Sequence, residues 1–424
     1  MKRVGRIFDA VVERENLRDA FLKASRGKRH RFDQRDFADH LDEELDRLRE
    51  GLLNVDYPVG NYRRFMIYDP KEREICVAPF GERVLHHALM NVCEPWFSKW
   101  LVFDTYACRA GKGQLRAVRR AQEFARRNDW FLKCDFRKFF DSVPHDGLKR
   151  MLARKFKDPF VVAWFERIIG GYEKTPGRGL PIGNLTSQHL ANLYLDPLDR
   201  LCQGAYVRYM DDFVLWSDSK DELKRKREEI IAFARETLGL ELKGEPFINR
   251  TALGMDFLGL RVFPGVIRLA KRSRERFKRK ARQYVKLLAE GVWDEATFQS
   301  RMTALTAFVE QAESGAFRRT FFRLDSRSGG RMKTIWRRTT DDRLQPRAAR
   351  RRVQQRCVQL LVLVPQQQQA GQQLEQQRLP PVLSLSMECQ DVRSRFVAGF
   401  RETGTKKGGR LDASSDSRKL RVAC

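Results

Sequence analysis

The chain has 424 residues and a formal net charge of +28, from 83 Lys plus Arg against 55 Asp plus Glu. That length implies two or three folding units, and the positive excess favours a polyanionic partner through phosphate neutralisation, nucleic acid or anionic membrane alike. No run of about eighteen apolar residues occurs, so no membrane-spanning helix is expected. The eight cysteines are scattered with no Cys-x-x-Cys pair, which argues against structural zinc and for reduced, mostly buried thiols.

Residues 13–53 read as helix, because Phe37, Leu41, Leu45, Leu48 and Leu52 recur three or four apart and form one apolar stripe. The basic start, Met1 to Arg6, lacks the apolar core of a signal peptide. Pro58 and Gly60 end the helical pattern. Arg64 to Ile67, a turn at Asp69-Pro70-Lys71, and Arg73 to Val77 then read as a hairpin. Residues 82–100 form another helical stretch. Its adjacent His86 and His87 point to different sides of a helix, so they read as packing or polar partners and not as metal ligands. The basic loop Gly111-Lys112-Gly113 lacks the spacing of a Walker phosphate loop, which argues against ATP hydrolysis. Arg116, Arg119 and Arg120 carry its charge onto a helix.

The run Trp130 to Cys134 reads as a buried strand ending in Asp135. Phe139 and Phe140 follow, and Pro144-His145 opens a helix in which His145 reads as a cap or polar contact. A glycine-rich turn, Gly179 to Gln188, leads into a helix expected over Leu190 to Leu201. Two further strands, Ala205 to Val207 and Phe213 to Trp216, flank Tyr209-Met210-Asp211-Asp212. An Asp pair alone suits any solvated turn, but adjacent carboxylates repel each other unless a cation joins them. With Asp135 on a neighbouring strand, three carboxylates could hold two divalent metals about 3.5–4 Å apart for in-line phosphoryl transfer.

Asp221 to Leu238 is a charged amphipathic helix ended by Gly239. Residues 261–290 hold eleven Lys or Arg against Glu275 and Glu290, with Tyr284, Val285, Leu287 and Leu288 apolar; they read as a helix along a nucleic-acid backbone. After about residue 330 the composition turns to Gln runs such as Gln366 to Gln369 among basic clusters, for which disorder is the default.

The Tyr-x-Asp-Asp hairpin, with Asp135 upstream in an Asp-x-x-x-Phe-Phe-Asp-Ser context, resembles the reverse transcriptases, with motifs in the expected order from about Asn16 to about Arg323. Most members carry Gln before the glycine and Pro after the serine of the turn. Here Ile182-Gly183-x-x-x-Ser187-Gln188 resembles the reverse transcriptases of diversity-generating retroelements in bacteria and phages, which copy an adenine-rich RNA with errors at adenines.

The resemblance implies an α+β right-hand polymerase. Residues 1–125 would be an N-terminal extension and fingers, 126–265 the palm (146–180 partly fingers), 266–330 a helical thumb, and 331–424 a disordered tail. It implies catalysis by Asp135, Asp211 and Asp212, which with Phe136 would hold two Mg2+, replaceable by Mn2+. Lys71, Arg73, Phe140 (as a gate against a 2′-hydroxyl), Ile182, Gly183 and Gln188 would bind the nucleotide. Lys112, Tyr209, Met210, Phe257, Leu258, Gly259, Lys271, Arg272, Lys278 and Arg279 would meet template and primer. Residue by residue, core packing rivals the role given to Phe140, and ordinary surface charge rivals those of Lys71 and Arg73. The implied partners are template RNA, a DNA or RNA primer, dNTPs and a small basic helical accessory protein, in the cytoplasm of a bacterial or phage-infected cell and away from membranes. Rival readings are a retron, intron-type or defence-associated reverse transcriptase, or a catalytically silent RNA-binding relative.

Overall fold

The computed structural model describes residues 3–68 and 72–325, so Lys71 and the Gln-rich tail lie outside the described residues. The expected single helix over 13–53 is three. After a short α1 (Phe8–Val12) come α2 (Arg14–Ser25), α3 (Phe32–Asp39) and α4 (Leu41–Asn54). A turn with Gly27 at φ 71 stops α2, and His40 separates the last two. The stripe nevertheless does its predicted job: Phe37, Leu45, Leu48 and Leu52 are buried and Leu41 packs against them.

The hairpin forms as expected from β1 (Arg63–Ile67) and β2 (Arg73–Val77), with Arg64 opposite Cys76. The long α5 (Phe80–Trp100) follows, then α6 (Gln114–Ala125). His86 is buried within α5, 3.6 Å from Glu82. Burial holds the imidazole down to about 3 and pushes the Glu82 carboxyl up to about 7, disfavouring the charged form of each.

β3 (Trp130–Asp135) leads through α7 (Phe139–Ser142), α8 (His145–Lys155) and α9 (Pro159–Gly170). His145 makes the polar contact expected of it, 2.8 Å from the Gly179 carbonyl. The helix expected over 190–201 begins earlier and is two, α10 (Leu185–Tyr194) and α11 (Asp196–Leu201), because Pro197 cannot donate to an ongoing ladder. β4 (Tyr206–Tyr209), β5 (Asp212–Ser217), α12 (Lys220–Glu236) and β6 (Phe247–Arg250) complete this part. Ser219 caps α12, accepting a hydrogen bond from the Glu222 amide.

The central sheet is antiparallel in the order β4-β5-β3-β6 and is buried on both faces. Leu132, Cys134, Tyr206, Phe213 and Leu215 face a core shared with the N-terminal helices and α8 to α12. Phe131, Val207, Val214 and Trp216 face a second core with α6 and the C-terminal elements. Side chains alternate along a strand, so two buried faces explain why these runs are apolar throughout.

The stretch expected to be helical from 261 instead opens with the end of β8 (Leu260–Val262) and with β9 (Ile267–Leu269), which with the preceding β7 (Met255–Phe257) form a three-stranded sheet. Only then does α13 (Lys271–Ala289) start, followed by α14 (Glu295–Val309) and α15 (Gly315–Asp325). Strands of three residues are too short to show a period, which is why the basic run masked them. Among the described residues no helix is long and apolar enough to cross a membrane, and all five cysteines are free, four of them buried.

Candidate active site

The β4–β5 hairpin closes through Met210 and Asp211, with Tyr209 opposite Asp212. Met210 takes φ 59, the left-handed conformation that a two-residue hairpin turn demands at its first position. β3 lies on the other side of β5, and Asp135 is the register partner of Asp212. Directly opposed residues share a sheet face, so the two carboxylates emerge together beside the turn that carries Asp211. By the same alternation Lys133 lies on that face, two residues before Asp135.

Two lysines engage these acids. Lys133 Nζ stands 3.2 Å from Asp212 Oδ2 and also donates to the Asp256 carbonyl at 2.7 Å. Lys243 Nζ stands 3.2 Å from Asp135 Oδ2. The other oxygen of Asp212, Oδ1, is buried and has no hydrogen-bond partner. Burial pushes this carboxyl up to about 7, against the pull of Lys133 and with Asp135 and Asp211 adding to the rise.

An unpaired buried carboxylate oxygen beside two further carboxylates suits a hard divalent cation, which takes oxygen ligands. The backbone at Phe136 is compatible: it bridges Leu242, but the bonds of that bridge run from Arg137 N to the Glu241 carbonyl and from Lys243 N to the Asp135 carbonyl. The Phe136 carbonyl is left outside that ladder. Among the described residues no three His, Cys, Asp or Glu side chains already converge as a ligand cluster.

The other expected residues surround this point unevenly. Phe140 is half-buried, with its ring 5.6 Å from Phe139, and its carbonyl accepts the Leu180 amide at 2.7 Å. The Ile182 carbonyl accepts the Cys76 amide at 2.8 Å, tying the turn to β2. Gly183, at φ 123, lies so close to β2 that an added Cβ would stand 2.5 Å from the Cys76 carbonyl. Its lack of a side chain thus has a packing cause besides any nucleotide. Gln188 Oε1 accepts from Cys108 Sγ at 2.7 Å, joining α10 to the basic loop. Arg73 is exposed on the hairpin, where the sequence had not singled out Arg64, stacked over Tyr172 at 5.4 Å, or Lys174, 3.1 Å from Glu74.

Lys112 is held over the Phe103 ring at 3.2 Å, and burial there keeps its ammonium below the usual range. Tyr209 and Met210 are half-buried at the turn. Phe257 is fully buried under Lys133, so the surface it supports is the Leu258-Gly259 turn, whose carbonyls accept from Gln114 and Ser273 at 2.6 Å. On α13, Lys271, Arg272 and Arg279 are exposed, while Lys278 is half-buried and pairs with Glu275 at 3.0 Å. The apolar side of α13, Phe277 and Ala281, points into the second core. Lys133 and Lys243 are the residues at the acids that the sequence did not single out. Lys133 alone left a signal, as a charge in a strand pattern at period two from Asp135.

Residues 69–262 match the family model described as reverse transcriptase (RNA-dependent DNA polymerase). The match spans both carboxylate strands and the central sheet, and the helix-flanked antiparallel sheet around them bears out the α+β right-hand polymerase class. Nuclear intron maturase 4, mitochondrial, of Arabidopsis thaliana is 26% identical over 199 residues, 45% of this chain and 24% of that protein. The putative COX1/OXI3 intron 2 protein of Saccharomyces cerevisiae is 23% identical over 141 residues, 32% of this chain and 16% of that protein. Protein YkfC of Escherichia coli K12 is 25% identical over 287 residues, 54% of this chain and 72% of that protein. The chain thus spans less than a quarter of the two intron-associated relatives. Apo telomerase from Candida Tropicalis aligns with TM-score 0.42 at 13% identity, over 61% of this chain and 59% of that chain.

Proposed function

We propose that the chain is an RNA-directed DNA polymerase acting at Asp135, Asp211 and Asp212. The observation that carries this is the register pairing of Asp135 with Asp212 beside the turn that holds Asp211, with a buried Asp212 oxygen left unpaired, within the stretch that matches the reverse-transcriptase family model. Asp135 and Asp211 would hold two magnesium ions, with Asp212 and the Phe136 carbonyl completing the set. Bound magnesium supplies activation of the primer 3′-hydroxyl and charge stabilisation of the leaving pyrophosphate. The protein's own part is positioning. The exposed Arg73, with Lys71 two positions earlier in the chain, would meet the triphosphate, Phe140 would lie under the sugar, and α13 would run along the template–primer backbone.

In this reading residues 1–125 carry the fingers, 126–265 the palm and 266–330 the thumb. Template RNA, a primer, dNTPs and a small basic helical protein are its partners, in a bacterial cytoplasm. Purified protein is expected to extend a primer on RNA in magnesium and to stop on chelation with EDTA. No extension from any primer–RNA duplex, with duplex binding intact, would favour the silent RNA-binding alternative.

Within the class, the Ile182-Gly183-x-x-x-Ser187-Gln188 pattern supports error-prone synthesis at template adenines for gene diversification. The intron-associated relatives favour a second reading, an intron-type reverse transcriptase. Ile182→Gln tests whether the motif itself causes the errors, because the Ile182 bond to Cys76 is made by the backbone and survives the change. A side-chain amide beside the nascent pair adds a hydrogen bond worth roughly 0.5–1.5 kcal/mol net, up to about tenfold in discrimination. Misincorporation opposite adenine is expected to fall more than opposite the other bases when cDNA from both proteins is sequenced. An unchanged adenine error rate with synthesis intact would make the motif a lineage marker and not a mechanism.

A further inference from the structure

Arg208 lies within β4, two residues before Met210, and it and Asp199 of α11 are both fully buried. Arg208 Nε and Nη2 each donate to one Asp199 oxygen at 2.6 Å. Nη2 also donates to the Asn192 carbonyl at 3.3 Å, and Nη1 donates to Asn192 Oδ1 at 2.9 Å and to the Met210 carbonyl at 3.0 Å. All five donors of the guanidinium are therefore used. Tyr206 adds its hydroxyl to Asp199 Oδ1 at 2.7 Å.

Alternation puts Arg208 on the sheet face opposite Tyr209, Asp135 and Asp212. It sits beneath the carboxylates and cannot touch a substrate. Its route to them is the Met210 carbonyl, in the residue held at φ 59. A non-glycine residue adopts that conformation at a cost and keeps it only where its surroundings insist. A buried ion pair is a poor way to stabilise a core, since apolar residues of the same volume often do as well. An apolar residue could not donate to Met210. The same Asn192 gives its amide to the Ala107 carbonyl at 2.9 Å, and the Arg208 backbone is bonded to Asp104 and Tyr106 at 3.0 Å. One buried strut thus serves both the acidic turn and the basic loop that begins beside it.

We propose that Arg208 is the positioning residue of the acidic turn: its fork, braced by Asp199 and Asn192, fixes Met210 and thereby sets where Asp211 and Asp212 stand. This deepens the polymerase reading and rests on it. Arg208→Lys keeps the charge for Asp199 but cannot span Asp199, Asn192 and Met210 together. The test is single-turnover extension of a primer on RNA at saturating dNTP across a magnesium titration, with duplex affinity and thermal melting measured on the same protein.

The expected result is a rate at least tenfold lower and a raised magnesium midpoint, with duplex affinity within twofold and a cooperative melt. A merely structural role would lower the melting temperature and leave the magnesium midpoint in place. If R208K fails to melt cooperatively, Asn192→Ala, which leaves the ion pair standing, decides by the same criteria. Unchanged rate and midpoint in the folded variant overturn the proposal. The wild-type protein in the same assay keeps the two claims apart: its failure to extend removes the polymerase reading, whereas equal extension by wild type and variant removes only the role of Arg208.

Discussion

Asp211→Ala is expected to lower magnesium-dependent primer extension by about a thousandfold or more, while RNA binding stays within a few-fold of wild type. Removing one carboxylate from a site built on charge placement costs catalysis on the scale of losing a preorganised electrostatic group or more. Neither neighbour can substitute. Asp135 and Asp212 are fixed on separate strands as register partners, whereas Asp211 occupies the turn itself. Binding, by contrast, would in the proposed reading rest on a surface spread over the hairpin, the loop around Lys112 and α13, in a chain of net charge +28. One fewer carboxylate near that surface, if anything, strengthens attraction to phosphate. Extension and filter binding on one RNA duplex, at one salt concentration, read both quantities. Extension at the wild-type rate would remove Asp211 from catalysis.

Gly183→Ala is expected to destabilise the protein by about 3 kcal/mol or more, which lowers the melting temperature by roughly 6–12 °C for a domain of this size. Two effects add. The residue sits at φ 123, a conformation that L side chains rarely adopt, and its new Cβ would meet the Cys76 carbonyl at 2.5 Å. That carbonyl belongs to β2, and the adjacent amide is the donor to Ile182, so neither backbone can retreat without breaking the junction between hairpin and turn. Gly204→Ala is the matched control. Its φ of 107 carries comparable strain, but nothing lies within 4 Å of an added Cβ. A melting temperature equally lowered in both variants would mean that backbone strain alone acts, and that the close approach to β2 relaxes at no cost.

Much of the architecture followed from local rules. The strand ending at Asp135, the hairpin of β1 and β2, the long α5 and the capped α12 each announce themselves by periodicity or by their terminal residues, which act within a few positions of chain. The segment 13–53 went further than its pattern allowed. An apolar stripe shows which face is buried but does not register a turn at Gly27 or a break at His40 when the stripe resumes in phase. The three strands after Met255 were hidden for a different reason. Each is three residues long, and the basic residues of the following helix dominate any window wide enough to show a period.

The sequence by itself determined the acidic centre. Asp211 and Asp212 share a turn, Asp135 ends an apolar strand, and like charges so placed require either solvent or a cation. The tertiary structure alone decided what stands around that centre. Lys243 reaches Asp135 across 108 residues of chain, Gln114 reaches the Leu258 carbonyl across 144, and Cys76 dictates the glycine at 183. Arg208 is the sharpest case. In the sequence it is one more basic residue in a basic protein, and only complete burial against Asp199 and Asn192 turns its charge from a surface property into a strut. Spacing along the chain encodes contacts closed by one turn of backbone. Contacts between distant segments depend on which buried charges find partners, and that is fixed only when the cores on both faces of the sheet have packed.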